Sequence, residues 1–252
     1  MVHSIFSLLA AFLLSIELHD FAGIQVILGA VDNDLPTLAT NPTFATTWSF
    51  LQCKPYKIIA ANLTIPISTA IFQQTLSVSY PPSAGSWSSD ASPYIIPVAQ
   101  FLQANKYPLL CNVYTYFSYQ SDPEHIRLDY ALINTSEVTV QDGSLGYTNL
   151  LDASIDAIYA ALEKVGANDV EIIVSETGWP SGGPDSATTI NAQTYNNNVI
   201  ARLANVGTPK RPGQVLESYI FALFNEDLNS VGIEQHFGLF YLNLTEVYPV
   251  NF

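Results

Sequence analysis

Cysteine, histidine and basic residues are all scarce in this chain of 252 residues. Its two cysteines, Cys53 and Cys111, imply no dense disulfide framework. One disulfide bridge between the two is possible, but two separate buried thiols are favoured, because Cys111 begins a predicted buried strand. The four histidines are scattered without the spacing typical of metal sites. We therefore expect no catalytic metal and no cofactor.

The shortage of positive charge limits the classes of binding partner. Eight Lys and Arg stand against 22 Asp and Glu, which gives a formal net charge of −14. This charge repels phosphate backbones and anionic membrane surfaces, so nucleic acid is not an expected partner, whereas a neutral polysaccharide is not disfavoured. Apolar residues make up 48% of the chain, with 14 Tyr and 13 Phe. This composition is typical of a globular, aromatic-rich protein.

An apolar run near the N-terminus, Ile5 to Ile16, has the length of a signal peptide and is too short to span a bilayer comfortably. No Lys or Arg precedes it, and no clear cleavage site precedes His19. Residues 1–18 are therefore a signal peptide or, alternatively, a buried helix of the mature fold. Residues 19–252 are predicted to form one domain, without a membrane span.

Three Asn-x-Ser/Thr sequons, at Asn62, Asn134 and Asn243, are compatible with secretion and with N-glycosylation. Because such sequons also arise by chance, they support secretion without requiring it.

Apolar strands alternate with helices along the chain. This alternation predicts a parallel sheet with helical crossovers, either an open doubly wound sheet or a closed barrel. The clearest helix has apolar residues at helical spacing from Leu151 to Val165. Five strands are predicted to start near Ile24, Ile65, Leu109, Val170 and Val215, and the last three are predicted to end at Phe117, Ser175 and Phe224.

The segment from Val170 to Gly183, VEIIVSETGWPSGG, has the strongest functional pattern. A carboxylate, Glu176, follows a short apolar strand, and the C-terminal ends of parallel strands are where α/β enzymes carry out chemistry. Trp179 offers a flat apolar face that suits a sugar ring. The alternative is a solvated Glu at a strand end and a Trp that only packs.

This segment resembles the nucleophile signature of the plant endo-1,3-β-glucanases, glycoside hydrolase family 17. Four further stretches resemble the family and lie in its order: SYPPSAGS from Ser79, NVYTYFSY from Asn112, YIFALFNE from Tyr219 and HFGLF from His236. Together they cover the chain from about Gly23 to Phe252. The resemblance implies a (β/α)₈ TIM-barrel fold and a retaining endo-hydrolase of β-1,3-glucan.

The resemblance also implies roles for single residues. Glu176 matches the family's nucleophile, and Tyr114, Phe117 and Trp179 are expected to bind the sugar chain. Glu217 and Glu226 match acidic residues of the family's cleft. Glu217 precedes the last predicted strand, so its place in the cleft requires that this strand start later than Val215.

The chain departs from the family at the acid/base residue, because it contains no Gly-Asn-Glu-Val motif. The segment that would carry two strands and this acid is interpreted as deleted, which leaves five predicted strands where a barrel needs about eight. Glu226 is the predicted substitute acid, since Asn225-Glu226 is the sole Asn-Glu pair. The alternative is a catalytically silent remnant that binds glucan, or a truncated product of a glucanase gene.

The resemblance further implies a secreted protein of the plant cell wall or vacuole, with a part in cell-wall turnover and defence. The expected partner is a β-1,3-glucan polysaccharide or oligosaccharide.

Overall fold

The computed structural model describes residues 68–202, 207–228 and 231–252. The predicted leader, the strand near Ile24, Cys53 and Asn62 lie outside the described residues.

The described residues alternate strands and α-helices, with short hairpins between them. In chain order the elements are β1 (Ala70–Phe72), β2 (Leu76–Val78), β3 (Ser86–Trp87), α1 (Ser92–Asn105), β4 (Leu109–Asn112), α2 (Thr115–Ser121), α3 (Leu128–Ala131), β5 (Val140–Asp142), β6 (Leu145–Tyr147), α4 (Leu150–Lys164), β7 (Ile172–Thr177), α5 (Thr189–Arg202) and β8 (Ser218–Ile220). Short 3₁₀ helices cover Gln73–Thr75, Pro82–Ala84 and Ile233–His236.

Four of these strands form a parallel sheet in the order β1-β4-β7-β8. All four residues of β4 are buried, because β4 pairs on both edges and is covered on both faces. Two antiparallel hairpins, β2-β3 and β5-β6, lie outside this sheet. Parallel pairing places the C-terminal ends of the four strands at one edge, which is the edge where Glu176 lies.

Helix α4 is buried over most of its surface. The side chain of Asn149 caps its first turn by accepting a hydrogen bond from the backbone N–H of Asp152 at 2.8 Å. At its other end, Lys164 lies in the last turn and Gly166 adopts a positive φ of 78°. The loop Pro82–Ala84 packs against this helix so closely that a Cβ on Gly85 would lie 2.0 Å from the carbonyl oxygen of Ala157.

The predicted strand boundaries were partly wrong. The strand predicted from Leu109 to Phe117 ends at Asn112, and α2 begins at Thr115. The strand predicted from Val170 to Ser175 runs two residues later, so that Glu176 lies inside β7. The strand predicted from Val215 is reduced to β8, and the strand predicted from Ile65 is described from Ala70. Local apolar runs locate strands, but pairing with neighbouring strands decides where they end.

Cys111 is a free, fully buried thiol in β4, as the sequence suggested. Burial raises the pKa of this thiol far above its ordinary value, so it stays protonated. Within the described ranges, no helix has the length and apolar character needed to cross a membrane.

Two carboxylates of α4 are buried and face the C-terminal end of α5 and the chain that follows it. Asp152 pairs with Arg202 at 2.5 Å. Asp156 accepts a hydrogen bond from the backbone N–H of Lys210 at 2.9 Å. Burial raises the pKa of Asp156 from 3.8 to about 6.

We expect the protein to gain stability as the pH falls through about 6, the folded-state pKa of Asp156. Between this value and 3.8, the folded state binds a proton that the unfolded state does not, so protonation favours folding. A difference of about two pKa units corresponds to about 3 kcal/mol of unfolding free energy. Urea titrations over a pH series should show this gain in the wild type and a smaller one in Asp156→Asn. The exposed Glu171→Gln is the control; an unchanged pH dependence in Asp156→Asn would contradict the assignment.

Candidate active site

Glu176 lies at the C-terminal end of β7, at a β-bulge. Cys111 pairs with Val174 and Asn112 pairs with Glu176, so two residues of β7 oppose one residue of β4. The backbone N–H of Val113 donates to the carbonyl of Glu176 at 2.9 Å and holds this register. Bulges re-aim side chains next to active sites, and here the bulge leaves Ser175 buried while Glu176 reaches a cavity wall.

Two neighbours donate hydrogen bonds to the carboxylate of Glu176. The hydroxyl of Tyr114 donates to its Oε2 at 2.9 Å, and the side-chain amide of Asn112 is the second donor. Ser175 Oγ donates to Asn112 Oδ1 at 2.7 Å, which turns the amide nitrogen toward the carboxylate. Burial, followed by the charge of Glu176, raises the pKa of Tyr114, so its hydroxyl remains a donor.

The electrostatic surroundings of Glu176 act in opposite directions. Burial has the largest effect and raises its pKa. The hydrogen bonds from Tyr114 and Asn112 lower the pKa, and the negative charges of Glu226 and Glu234 raise it. The net result is a pKa above the ordinary value of a glutamate. Both other carboxylates therefore lie within electrostatic reach of Glu176.

A cavity of about 1110 Å³ opens beside Glu176. Its wall near the carboxylate is aromatic. The ring centroid of Tyr114 lies 5.5 Å from that of Phe117 and 5.7 Å from that of Phe237. Phe221 lies 5.8 Å from Phe237 and also lines the cavity. A carboxylate beside a wide, aromatic, largely uncharged wall is suited to attack on a sugar chain.

The structure brings three of the sequence-predicted site residues together on this wall, namely Glu176, Tyr114 and Phe117. Because β4 ends at Asn112, the alternation of a strand no longer separates Tyr114 from Phe117, and both face the cavity from the start of α2. Tyr116 lies between them in sequence and is core.

The prediction that Trp179 offers an exposed sugar platform is wrong. Its side chain is 0% exposed and does not line the cavity. The chain after β7 turns inward, so that Trp179 Nε1 donates to the carbonyl of Ser186 at 2.9 Å and the ring packs 5.2 Å from that of Tyr116. Trp179 therefore supports the cavity wall from behind.

The placement of Glu217 in the cleft stays a prediction. Strand β8 does start later than Val215, but Glu217 immediately precedes it, is exposed and does not line the cavity. The hydroxyl of Tyr219 hydrogen-bonds to its carboxylate instead. Glu226 is exposed as well and is absent from the cavity wall, although its charge reaches Glu176. Its role as substitute acid stays a prediction.

Sequence reasoning missed Glu234 and the role of Asn112 as a donor. Glu234 lies on the 3₁₀ helix Ile233–His236 and lines the same cavity as Glu176. Its position two residues before the HFGLF stretch was the signal that could have identified it. Within the described ranges, no group of three or more His, Cys, Asp or Glu side chains is arranged to hold a metal ion.

A strand-end carboxylate on an aromatic cavity, carried by a parallel α/β sheet, fits the nucleophile of the class of O-glycosyl hydrolases. Comparison with known proteins agrees. Residues 55–252 match the family described as glycosyl hydrolases family 17. A putative glucan endo-1,3-beta-glucosidase GVI of Hordeum vulgare is 38% identical over 92% of this chain and 83% of its own length. This chain belongs to glycosyl hydrolase family 17.

A second relative and two solved structures extend this result. A glucan endo-1,3-beta-glucosidase of Vitis vinifera is 50% identical over 75% of this chain and 54% of its own length. A plant beta-glucan endohydrolase superposes with a TM-score of 0.80 at 37% identity, over 92% of this chain and 85% of the other. A beta-1,3-glucanase and pollen allergen of Cryptomeria japonica superposes with a TM-score of 0.79 at 38% identity, over 90% of this chain and 83% of the other. The (β/α)₈-barrel class is thereby confirmed, and the described residues supply four parallel strands of it.

Removal of the Tyr114 hydroxyl is expected to raise the pKa of Glu176 further, because this hydrogen bond lowers it. In the Tyr114→Phe variant, Glu176 should therefore ionise at a higher pH than in the wild type. Carbon-13 NMR titration of labelled glutamate side chains measures this without requiring turnover. Tyr116→Phe is the control, since Tyr116 makes no hydrogen bond to Glu176 in the described structure. An unchanged or lower pKa in Tyr114→Phe would refute the role of the hydroxyl.

Replacement of Trp179 by Phe is expected to lower stability by about 2 kcal/mol, because it removes buried ring area and the hydrogen bond to Ser186. Affinity for glucan should not change in the folded variant. Trp87→Phe is the matched control, because Trp87 Nε1 is buried without a hydrogen-bond partner in the described structure. Trp87→Phe should lower the thermal unfolding temperature by less than Trp179→Phe does. A stable Trp179→Phe protein with weakened glucan binding would restore Trp179 to the sugar site.

Proposed function

We propose that this chain is a retaining endo-hydrolase of β-1,3-glucan in which Glu176 is the nucleophile. The observation that carries the proposal is the placement of Glu176 on the wall of a wide aromatic cavity, held by two hydrogen-bond donors. The names of the Hordeum and Vitis relatives support the β-1,3 linkage. A lichenase-2 of Hordeum vulgare that is 39% identical makes linkage preference a question for experiment.

The chemistry follows from the geometry around the carboxylate. The hydroxyl of Tyr114 is hydrogen-bonded to Oε2 of Glu176, and the carboxylate of Glu176 attacks the anomeric carbon of a bound glucosyl unit. The bond from this carbon to the glycosidic oxygen breaks as the bond to Glu176 forms, and the leaving oxygen takes a proton from an acid. Water then cleaves the glycosyl ester, so that the configuration at the anomeric carbon is retained.

The identity of the proton donor is the step that this scheme leaves open. The cavity lining favours a different candidate from the one that the sequence suggested. Glu234 lines the cavity and its charge reaches Glu176, whereas Glu226 reaches Glu176 without lining the cavity. We therefore place Glu234 ahead of Glu226 as the acid.

A second candidate function is glucan binding without turnover. Glycosidase acids are commonly kept protonated by an apolar environment, but the side chains of Glu226 and Glu234 are both exposed. A missing general acid lowers the rate by roughly 10²–10⁴-fold. The aromatic wall that would bind a sugar chain does not depend on that acid.

The test is hydrolysis of a soluble β-1,3-glucan by the purified full chain, after circular dichroism and a thermal transition have established that it is folded. Glu176→Gln is expected to lower kcat by more than 10³-fold, because it removes the nucleophile. Glu234→Gln should lower kcat more than Glu226→Gln does. A mixed-linkage glucan assayed in parallel gives the linkage preference.

Each outcome separates the two functions. Turnover that survives Glu176→Gln would defeat the nucleophile assignment. Saturable glucan binding by a folded wild type that shows no turnover would establish the binding function in its place. Release of products with inverted configuration, read by proton NMR, would rule out the retaining mechanism.

A further inference from the structure

A tight hairpin near the C-terminus ends in a turn that the catalytic scheme does not use. Phe240 pairs with Glu246 in an antiparallel bridge, so Tyr241 and Thr245 lie opposite each other. The backbone N–H of Tyr241 donates to the carbonyl of Thr245 at 2.8 Å, and that of Leu244 donates to the carbonyl of Tyr241 at 2.9 Å. These are the hydrogen bonds of a three-residue hairpin loop that ends in a β-bulge. We call the segment from Tyr241 to Thr245 the C-terminal turn; none of its residues lines the catalytic cavity.

The C-terminal turn is strained and apolar at its tip. Leu244 has a φ of 69°, in the left-handed region that favours glycine, so other contacts must hold a leucine there. The side chains of Tyr241, Leu242 and Leu244 are 46%, 61% and 72% exposed. A cluster of exposed apolar side chains often marks a surface that another group covers. A hydrophilic group that rests on the turn would both support its backbone and shield its tip.

The same turn carries the sequon Asn243-Leu244-Thr245, a type of sequence at which N-glycans are attached. Oδ1 of Asn243 accepts hydrogen bonds from the backbone N–H and the hydroxyl of Thr245, at 3.0 and 2.7 Å. Both bonds use the amide oxygen, and within the described ranges the amide nitrogen of Asn243 donates to no other group. Asn243 is exposed, so the nitrogen that carries a glycan is accessible for modification.

The hydroxyl of Thr245 places the side chain of Asn243 on the same face as Tyr241. Residues that lie opposite each other in an antiparallel pair project their side chains from one face, so Tyr241 and Thr245 share a face. Because the side chain of Asn243 folds back onto that of Thr245, a sugar on its amide nitrogen starts beside the Tyr241 ring. A cavity of about 380 Å³ borders this ring and leaves room for a pyranose, whose apolar face suits an exposed aromatic side chain.

The other sequon within the described residues lacks this arrangement. Asn134 is also exposed, and its sequon ends at Ser136. The residue two positions before Asn134 is Leu132, which is 5% exposed, where the C-terminal turn has a half-exposed tyrosine. A glycan on Asn134 therefore has no aromatic ring at the corresponding position to pack on.

We propose that Asn243 carries an N-linked glycan whose first N-acetylglucosamine packs on the ring of Tyr241 and stabilises the C-terminal turn. In the transfer step, the amide nitrogen of Asn243 forms a bond to C1 of the oligosaccharide and gives up a proton. The bond from C1 to the phosphate oxygen of a lipid-linked pyrophosphate donor breaks, and the lipid pyrophosphate leaves with the electron pair. The inference is independent of catalysis at Glu176 and requires that the chain enter the secretory pathway, where this donor is found.

The experiment is a double-mutant cycle on the full chain, secreted from mammalian cells behind a secretion signal. Mass spectrometry of its peptides should find the glycan on Asn243. Asn243→Gln should lower the thermal midpoint by about 2–4 °C when Tyr241 is present and by less than about 1 °C in Tyr241→Ala, which has lost the ring. The same four proteins made in the bacterial cytoplasm, where no N-glycan is added, should show no such coupling. Asn134→Gln is the matched control and should leave the midpoint unchanged.

Each result bears on one part of the proposal. An Asn243 without glycan in the secreted wild type would overturn the modification site. A loss of stability in Asn243→Gln that is the same with and without the Tyr241 ring, or a coupling that persists in the bacterial proteins, would overturn the packing of the sugar on Tyr241. Tyr241→Leu keeps apolar bulk without the ring and serves in the cycle if Tyr241→Ala fails to fold.

Discussion

A carboxylate that is partly removed from water, next to two others, has to be stabilised in its charged form if it is to attack a sugar. Burial and the charges of Glu226 and Glu234 oppose ionisation of Glu176, while hydrogen bonds from Tyr114 and Asn112 favour it. The balance depends on the bulge that sets Asn112 opposite Glu176. A shift of one residue in this pairing would turn the carboxylate to another face.

The aromatic residues divide into two layers with different tasks. Tyr114, Phe117 and Phe237 meet edge to face along the cavity wall, where a neutral polymer can lie against them. Behind them Trp179 packs against Tyr116 and anchors its indole nitrogen on Ser186. The inner layer holds the chain after β7 in place, and the outer layer faces the cavity.

Membership of glycosyl hydrolase family 17, the parallel sheet and the strand-end position of Glu176 could all be predicted, because long motifs in family order and short apolar runs are local properties of a sequence. The surroundings of Trp179 and Glu217 could not be predicted. Whether a side chain after a strand turns outward or inward depends on what packs against it, and Ser186 and Tyr219 decide this here. Glu234 joins the site through a 3₁₀ turn far along the chain.

The sequence by itself determined the family, since the segment around Glu176 and four further stretches match glycosyl hydrolase family 17 in its order, and its negative charge does not disfavour a neutral polysaccharide. Only the tertiary structure decided which groups surround that glutamate and how far its cavity extends. The physical reason is that hydrogen bonds, desolvation and the walls of a cavity arise between segments distant in sequence. Their contacts depend on strand register and on the direction in which loops turn.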